Sequence, residues 1–156
     1  MTAVDISYGT AGTAITCSFG TLASSATVGQ ASTAVSNTTA LALDALVSAE
    51  LVLPTGTPAD DMAVYFYAYG NVSTAAYTEG VSGTDESFTI NSPTGLKLIG
   101  VVPTPTGGIT YYGGPWSVAA SFGGILPASW GIVVVNYSGL TLSSGSAYFQ
   151  TIGATV

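Results

Sequence analysis

MAVYFYAYG, from Met62 to Gly70, is the stretch on which the fold turns. Valine and aromatic residues fill it and a glycine stops it, a composition that suits a pleated, half-buried surface. A strand sends successive side chains to opposite faces, so Val64, Phe66 and Ala68 share one face while Tyr65, Tyr67 and Tyr69 share the other. The neighbouring sequence keeps the same period. AVDISY (Ala3 to Tyr8) and GTAITCSFG (Gly12 to Gly20) alternate in twos, and neither has the spacing of an amphipathic helix. Between Thr38 and Gly56 the alanine and leucine content favours helix on propensity alone. Periodicity overrides it: Leu41, Leu43, Ala45, Val47, Ala49, Leu51 and Leu53 fall on one face against Asp44, Ser48 and Glu50, with Leu46 the exception.

Further strands are predicted at Ser87 to Ile90, Leu96 to Val102, Ile109 to Tyr112, Gly131 to Asn136 and Ala147 to Val156. Reversals are predicted at Ser92 to Gly95, Pro103 to Gly108, Tyr112 to Pro115 and Ser144 to Ala147. Only Ser117 to Gly124 reads as a short helical turn, capped by Ser117 and stopped by glycines. Around eight antiparallel strands separated by turns describe an all-β chain, a β-sandwich with a jelly-roll-like body. No fixed-period repeat points to a propeller or solenoid. Residues 1–37 are the least regular and are expected to form an N-terminal arm or strand-exchanging segment, with residues 38–156 as the body. At 156 residues one hydrophobic core is the expectation.

Charge is the other unusual feature. Charged residues make up 6% of the chain, against about 25% in an average domain, and Lys97 is its sole cation. There is no histidine or arginine, and the net charge is -7. Proton shuttles, phosphate clamps and phosphate-backbone contacts therefore lack their usual residues, and a nucleic acid or an anionic membrane would repel the chain. A Ser-His-Asp triad cannot be assembled, so the reading is a non-enzyme without a cofactor. Cys17 is the single cysteine, beside no base or cation, and reads as a structural thiol. The N-terminus has no basic residue before its first apolar patch and no apolar run is long enough for a membrane helix, so assembly in a cytoplasm is expected.

The acid pairs Asp60–Asp61 and Asp85–Glu86 lie in predicted loops, without the alternating spacing of a calcium loop or the flanking aromatics of a glycosidase pair. No metal site is read from them. The tyrosine stripe Tyr65, Tyr67 and Tyr69 can serve as a contact platform with hydrogen-bonding tips, or both faces of its strand can be covered within the fold. Trp116 and Trp130, both near turns, can anchor loops to the core or grip a sugar ring. Asn37, Asn71 and Asn136 head Asn-x-Ser/Thr triplets, which carry meaning only in a secreted chain. From Ile6 to Leu43 and from Leu98 to Val156 there is no charged residue, a pattern expected of surfaces covered by other protein.

Four segments together carry a resemblance: LASSATVGQASTAVSNTTALALDALVSAELVLP (Leu22 to Pro54), ADDMAVYFYAYGNV (Ala59 to Val72), GPWSVAASFGGILPASWGIVVVNYSG (Gly114 to Gly139) and the terminal SAYFQTIGATV. They resemble a family of small proteins encoded among the structural genes of tailed bacteriophages. The resemblance implies a virion component on the outer capsid surface, a decoration or cement protein. Its expected partners are the major capsid protein and copies of itself, trimer before dimer. The alternative it leaves open is a receptor- or glycan-binding module on a head fibre or tail, with Tyr65, Tyr67, Tyr69 and Trp116 as contact residues.

Overall fold

The structure, a computed structural model, describes residues 4–92 and 94–155. The expected arm, the Ser92 to Gly95 reversal and the last strand extend to Met1–Ala3, Pro93 and Val156, which lie outside the described residues. Twelve strands follow in chain order: β1 (Asp5–Tyr8), β2 (Thr13–Ile15), β3 (Val28–Ala31), β4 (Val35–Ser36), β5 (Asp44–Val52), β6 (Ala63–Ser73), β7 (Ala76–Tyr77), β8 (Glu86–Thr89), β9 (Lys97–Pro103), β10 (Thr110–Ser117), β11 (Ser129–Tyr137) and β12 (Ser144–Thr155). A single helical turn, α1 (Val118–Ser121), sits between β10 and β11, with the Ser117 hydroxyl accepting from the Ala120 amide as its cap.

The strands form two antiparallel sheets, and the chain is a β-sandwich. In the five-stranded sheet β5 lies between β10 and β12, and β1 and β2 both pair along the far edge of β12. In the seven-stranded sheet β6 and β11 are central; β9 and β7 pair the outer side of β6, β3 and β4 pair the outer side of β11, and β8 closes the edge. Residues 4–37 thus lie along the body. Phe19 and Ala31 are fully buried, so the second half of this segment contributes to the interior.

The main core fills the space between the sheets. Val47, Ala49 and Leu51 of β5 face Val64, Phe66 and Ala68 of β6 and Trp130, Ile132 and Val134 of β11. From Asp44 onward the alternation read from the sequence is the observed burial pattern of β5, strictly buried and half-buried in turn, whereas Leu41 and Leu43, expected on the same face, lie before the strand and are exposed, Leu41 at φ +46 in the turn that leads into it. The expectation of one core needs correction. A second cluster lies on the outer face of the seven-stranded sheet, where Tyr69, Val133, Val135 and Ala31 are covered by Val81 and Leu96. The segment between β7 and β9 folds back over that face, so β11 is buried on both sides and its sequence is a continuous apolar run rather than an alternating one.

Two expected reversals are strands instead. Tyr112 to Pro115 lies inside β10 as a bulge: pairing with β5 shifts between Gly113 and Trp116 and then resumes. Gly114 has φ +93, and a side chain there would strike the Val47 carbonyl, so glycine is required and the chain bends without turning back. Ser144 to Ala147 is the start of β12, paired with β5 from Val52 onward. The reversal that precedes it is at Ser138 to Leu140, held by the buried Asn136 side chain. β3, β4 and β7 were not expected; they are short, and their alternation is too brief to register as a pattern.

Candidate interaction surfaces

The tyrosine stripe divides along its length. Tyr69 is fully buried, donates to the Ser32 carbonyl at 2.7 Å and meets Tyr77 edge to face at 5.3 Å. Burial pushes its phenol up to about 12. A side chain at Gly131, directly across on β11, would collide with the Tyr69 ring, so the glycine makes room for it. Tyr65 and Tyr67 are half-buried and stacked at 6.5 Å. The hydrogen bond that Tyr65 donates to Asp61, at 2.8 Å, raises its pKa, with burial adding to the effect; burial raises that of Tyr67. Leu98 and Val101 of β9 stand opposite Tyr67 and Tyr65 in register and are open to solvent. Both readings of the stripe therefore apply, one to each end: Tyr69 is core, and Tyr65 and Tyr67 are a partly open platform.

Trp116 lies on the opposite side of the seven-stranded sheet from these tyrosines. The bulge in β10 turns it inward, across from Val47, and its indole packs on Phe66 at 5.0 Å. A side chain at Gly100 would overlap the indole, so this glycine lets the ring lie flat on β9. The half-buried indole forms one wall of an open cleft of about 430 Å³, with Leu98, Ile99 and Pro115 as its apolar surfaces and Ser117 and Ser121 as hydroxyls. Such a cleft can receive an apolar or ring-shaped group and offer hydroxyl contacts beside it. Leu98 lines this cleft and is also the register partner of Tyr67, so the two features flank one edge strand without sharing a face. Trp130 is core, fully buried and edge-on to Phe149.

The carboxylates are occupied with the fold. Asp85 accepts from the Ser18 amide and hydroxyl and from the Gln30 side chain, at 2.8, 2.5 and 2.6 Å. Glu79, at φ +59, accepts from the Thr94 hydroxyl and the Gly95 and Leu96 amides. In both groups burial opposes ionisation, but these hydrogen bonds outweigh it and hold the pKa below the ordinary carboxylate value. Among the described residues no three Cys, Asp or Glu side chains gather where they could hold a metal ion. Cys17 is deep among its neighbours; burial, reinforced by Asp85, pushes its thiol well up, which leaves it protonated and unreactive. Asn37, Asn71 and Asn136 each engage backbone through the side-chain amide.

Glu79 and Asp85 both belong to the segment that covers Tyr69, which predicts an acid-labile cover. Their folded pKa values lie below their unfolded ones, so the stability they contribute is complete above the unfolded pKa and is lost as pH falls through the folded value, below about pH 4. The near-ultraviolet circular dichroism of the Tyr69–Tyr77 pair is expected to fade between about pH 4 and 2 while far-ultraviolet β signal persists. Replacing Glu79 by Gln and Asp85 by Asn should weaken the signal at neutral pH and flatten the titration; an unaltered titration would remove these groups from the role.

The third surface escaped the sequence reading. Registers across β1, β12, β5 and β10 put Ile6, Tyr8, Ile152, Tyr148, Leu46, Val52 and Tyr112 on the outer face of the five-stranded sheet, behind the buried Val47 and Leu51. Leu46, the exception in the alternation, is here half-exposed among them. The ionic side chains that these registers add to the face are Asp44, which is tied at 2.8 Å to the Ala119 amide, and Glu50. Among the described residues no second core covers this side. No protein-family model, curated protein or solved structure matches the chain.

Proposed function

We propose that this chain is a non-enzymatic assembly protein, and specifically a capsid decoration or cement protein of a tailed-bacteriophage virion, located on the outer capsid surface. One observation carries the reading. The outer face of the five-stranded sheet is a broad, charge-poor surface on which aliphatic and tyrosine side chains alternate with serine, threonine and Gln150 side chains, with Tyr112 and Ile6 about 70% exposed. Exposed apolar side chains gathered on a charge-poor face mark contact with other protein, and interface centres are depleted of charge in the same way. The identity of the partner as the major capsid protein rests on the sequence resemblance. A standard interface of about 1,600 Å² on such a face, repeated at every copy around a shell, clamps neighbouring subunits through many modest contacts.

The test uses capsids prepared with and without the protein. Complete capsids are expected to survive heat and low-salt shock that ruptures bare ones. Tyr112→Glu, at an exposed position where folding is unaffected, is expected to abolish capsid occupancy and the protection with it. Equal survival of bare and complete capsids would refute clamping.

The Trp116 cleft favours a second reading, a glycan-binding module on a head fibre or tail. In that case a glycan array retains the wild-type chain, and Trp116→Ala or Tyr67→Ala releases it. The decoration reading expects no retention.

A further inference from the structure

We propose that β1 is an exchange strand, which leaves the edge of its own β12 and pairs with the same edge of a second copy of this chain. The segment before Thr38 is not uniform in its attachment. Beyond β1, Ile15 and Phe19 are buried in the main core and Ala31 in the second cluster. No residue of β1 is buried, and Val4, Ile6 and Tyr8 are each about two-thirds exposed. Its pairing runs from Asp5↔Thr155 to Tyr8↔Ile152, against a stretch of β12 whose own residues are all half-buried or exposed. The strand is therefore held by edge hydrogen bonds and light surface packing, with no core side chain to extract.

The connector permits the move. β1 and β2 pair along one edge of β12, but residues 9–12 span a gap opposite only Thr151 and Gln150, so the edge carries two residues of slack. Gly9 and Gly12 bracket this bulge, and Gly12 sits at φ +72 with open space around it. Opening the bulge gives a flexible reach of up to roughly 17 Å from Tyr8 to Thr13. The acceptor edge in a second copy is identical to the one vacated, so exchange preserves every β1 hydrogen bond. That identity of the acceptor edge selects a second copy as the occupant. The inference concerns contact between copies and stands whether or not the partner is a capsid.

Variants of the full chain that each carry one cysteine besides the deep Cys17 test it. Ile6 and Ala154 face each other across the β1–β12 pair, and both are exposed, so neither substitution burdens folding. Ile6→Cys protein is mixed with Ala154→Cys protein at high concentration, incubated, oxidised and digested for mass spectrometry. A disulfide between position 6 of one copy and position 154 of the other is expected. Deleting Thr10 and Ala11 makes the edge strand continuous and removes the slack, and the mixed disulfide is expected to disappear. Symmetric 6–6 links alone would mean edges lying side by side without exchange, and would overturn the proposal. So would the absence of any 6–154 link, or its persistence at full yield in the deleted chain.

Discussion

Phe66→Ala is expected to destabilise the fold by about 3–5 kcal/mol, the range for deleting a buried aromatic ring. The ring is fully buried at the centre of the sandwich, edge-on to Phe19 at 5.9 Å and against the Trp116 indole at 5.0 Å. Its removal costs the transfer energy of the ring and leaves a cavity that β6, paired on both sides, cannot close by shifting. Tyr67→Ala, one residue away, is expected to cost on the order of 1–2 kcal/mol, because that ring is only half withdrawn from water. Urea unfolding of the two variants, with unchanged slopes, gives the comparison. Equal midpoints would contradict the assignment of the two faces of β6. Loss of Phe66 also removes the backing of Trp116, so indole fluorescence in the folded variant should shift toward that of a solvated ring.

Asn136→Asp is the second large effect, and its direction with pH is specific. The side chain is fully buried and donates to the carbonyls of Leu22 and Leu140 at 2.8 and 2.7 Å, while its oxygen accepts from the Ser138 hydroxyl at 2.7 Å. An aspartate puts a charge where the amide made two donations, facing carbonyl oxygens with no cation near. The cost at pH 7 is expected to exceed about 3 kcal/mol, the scale for an uncompensated buried charge. Burial raises the folded pKa of such an aspartate above its unfolded value. The variant is thus most impaired above that raised value and recovers relative to wild type as pH falls through it. Asn136→Ala lacks the charge and should show a smaller loss without this pH dependence. Denaturant melts of both variants at pH 7 and pH 5 separate the two causes.

The longest strands were the most legible in the sequence, and the short β1, β2 and β8 were read from the alternating or β-prone runs around them. β5, β6 and β12 declare themselves because nine or more residues sample both faces. β3 and β4 did not, since the serines, threonines and glycine around them break any apolar alternation, and they exist because β11 supplies their partner. The bulge at Gly113 to Pro115 has the composition of a turn, and only the pairing with β5 on either side keeps it in the strand.

The candidate surfaces divide in the same way. Tyr65, Tyr67, Tyr69 and Trp116 were identifiable as large side chains able to make contacts. Whether each is open depends on what lies above it: the cover held by Glu79 and Asp85 reaches Tyr69 and leaves Tyr65 and Tyr67 partly bare, and the β10 bulge sends Trp116 away from all three. The face formed by Ile6, Tyr112 and Ile152 could not be assembled from sequence, because its residues come from strands far apart in the chain.

The amino-acid sequence by itself determined the all-β character, the period-two faces of the long strands and the scarcity of charge, since each depends on residue type and local spacing. The tertiary structure decided which faces are covered, how the sheets are ordered and that the interior has two cores. Those outcomes follow from long-range pairing, where a side chain's burial is set by whichever distant segment returns to lie over it.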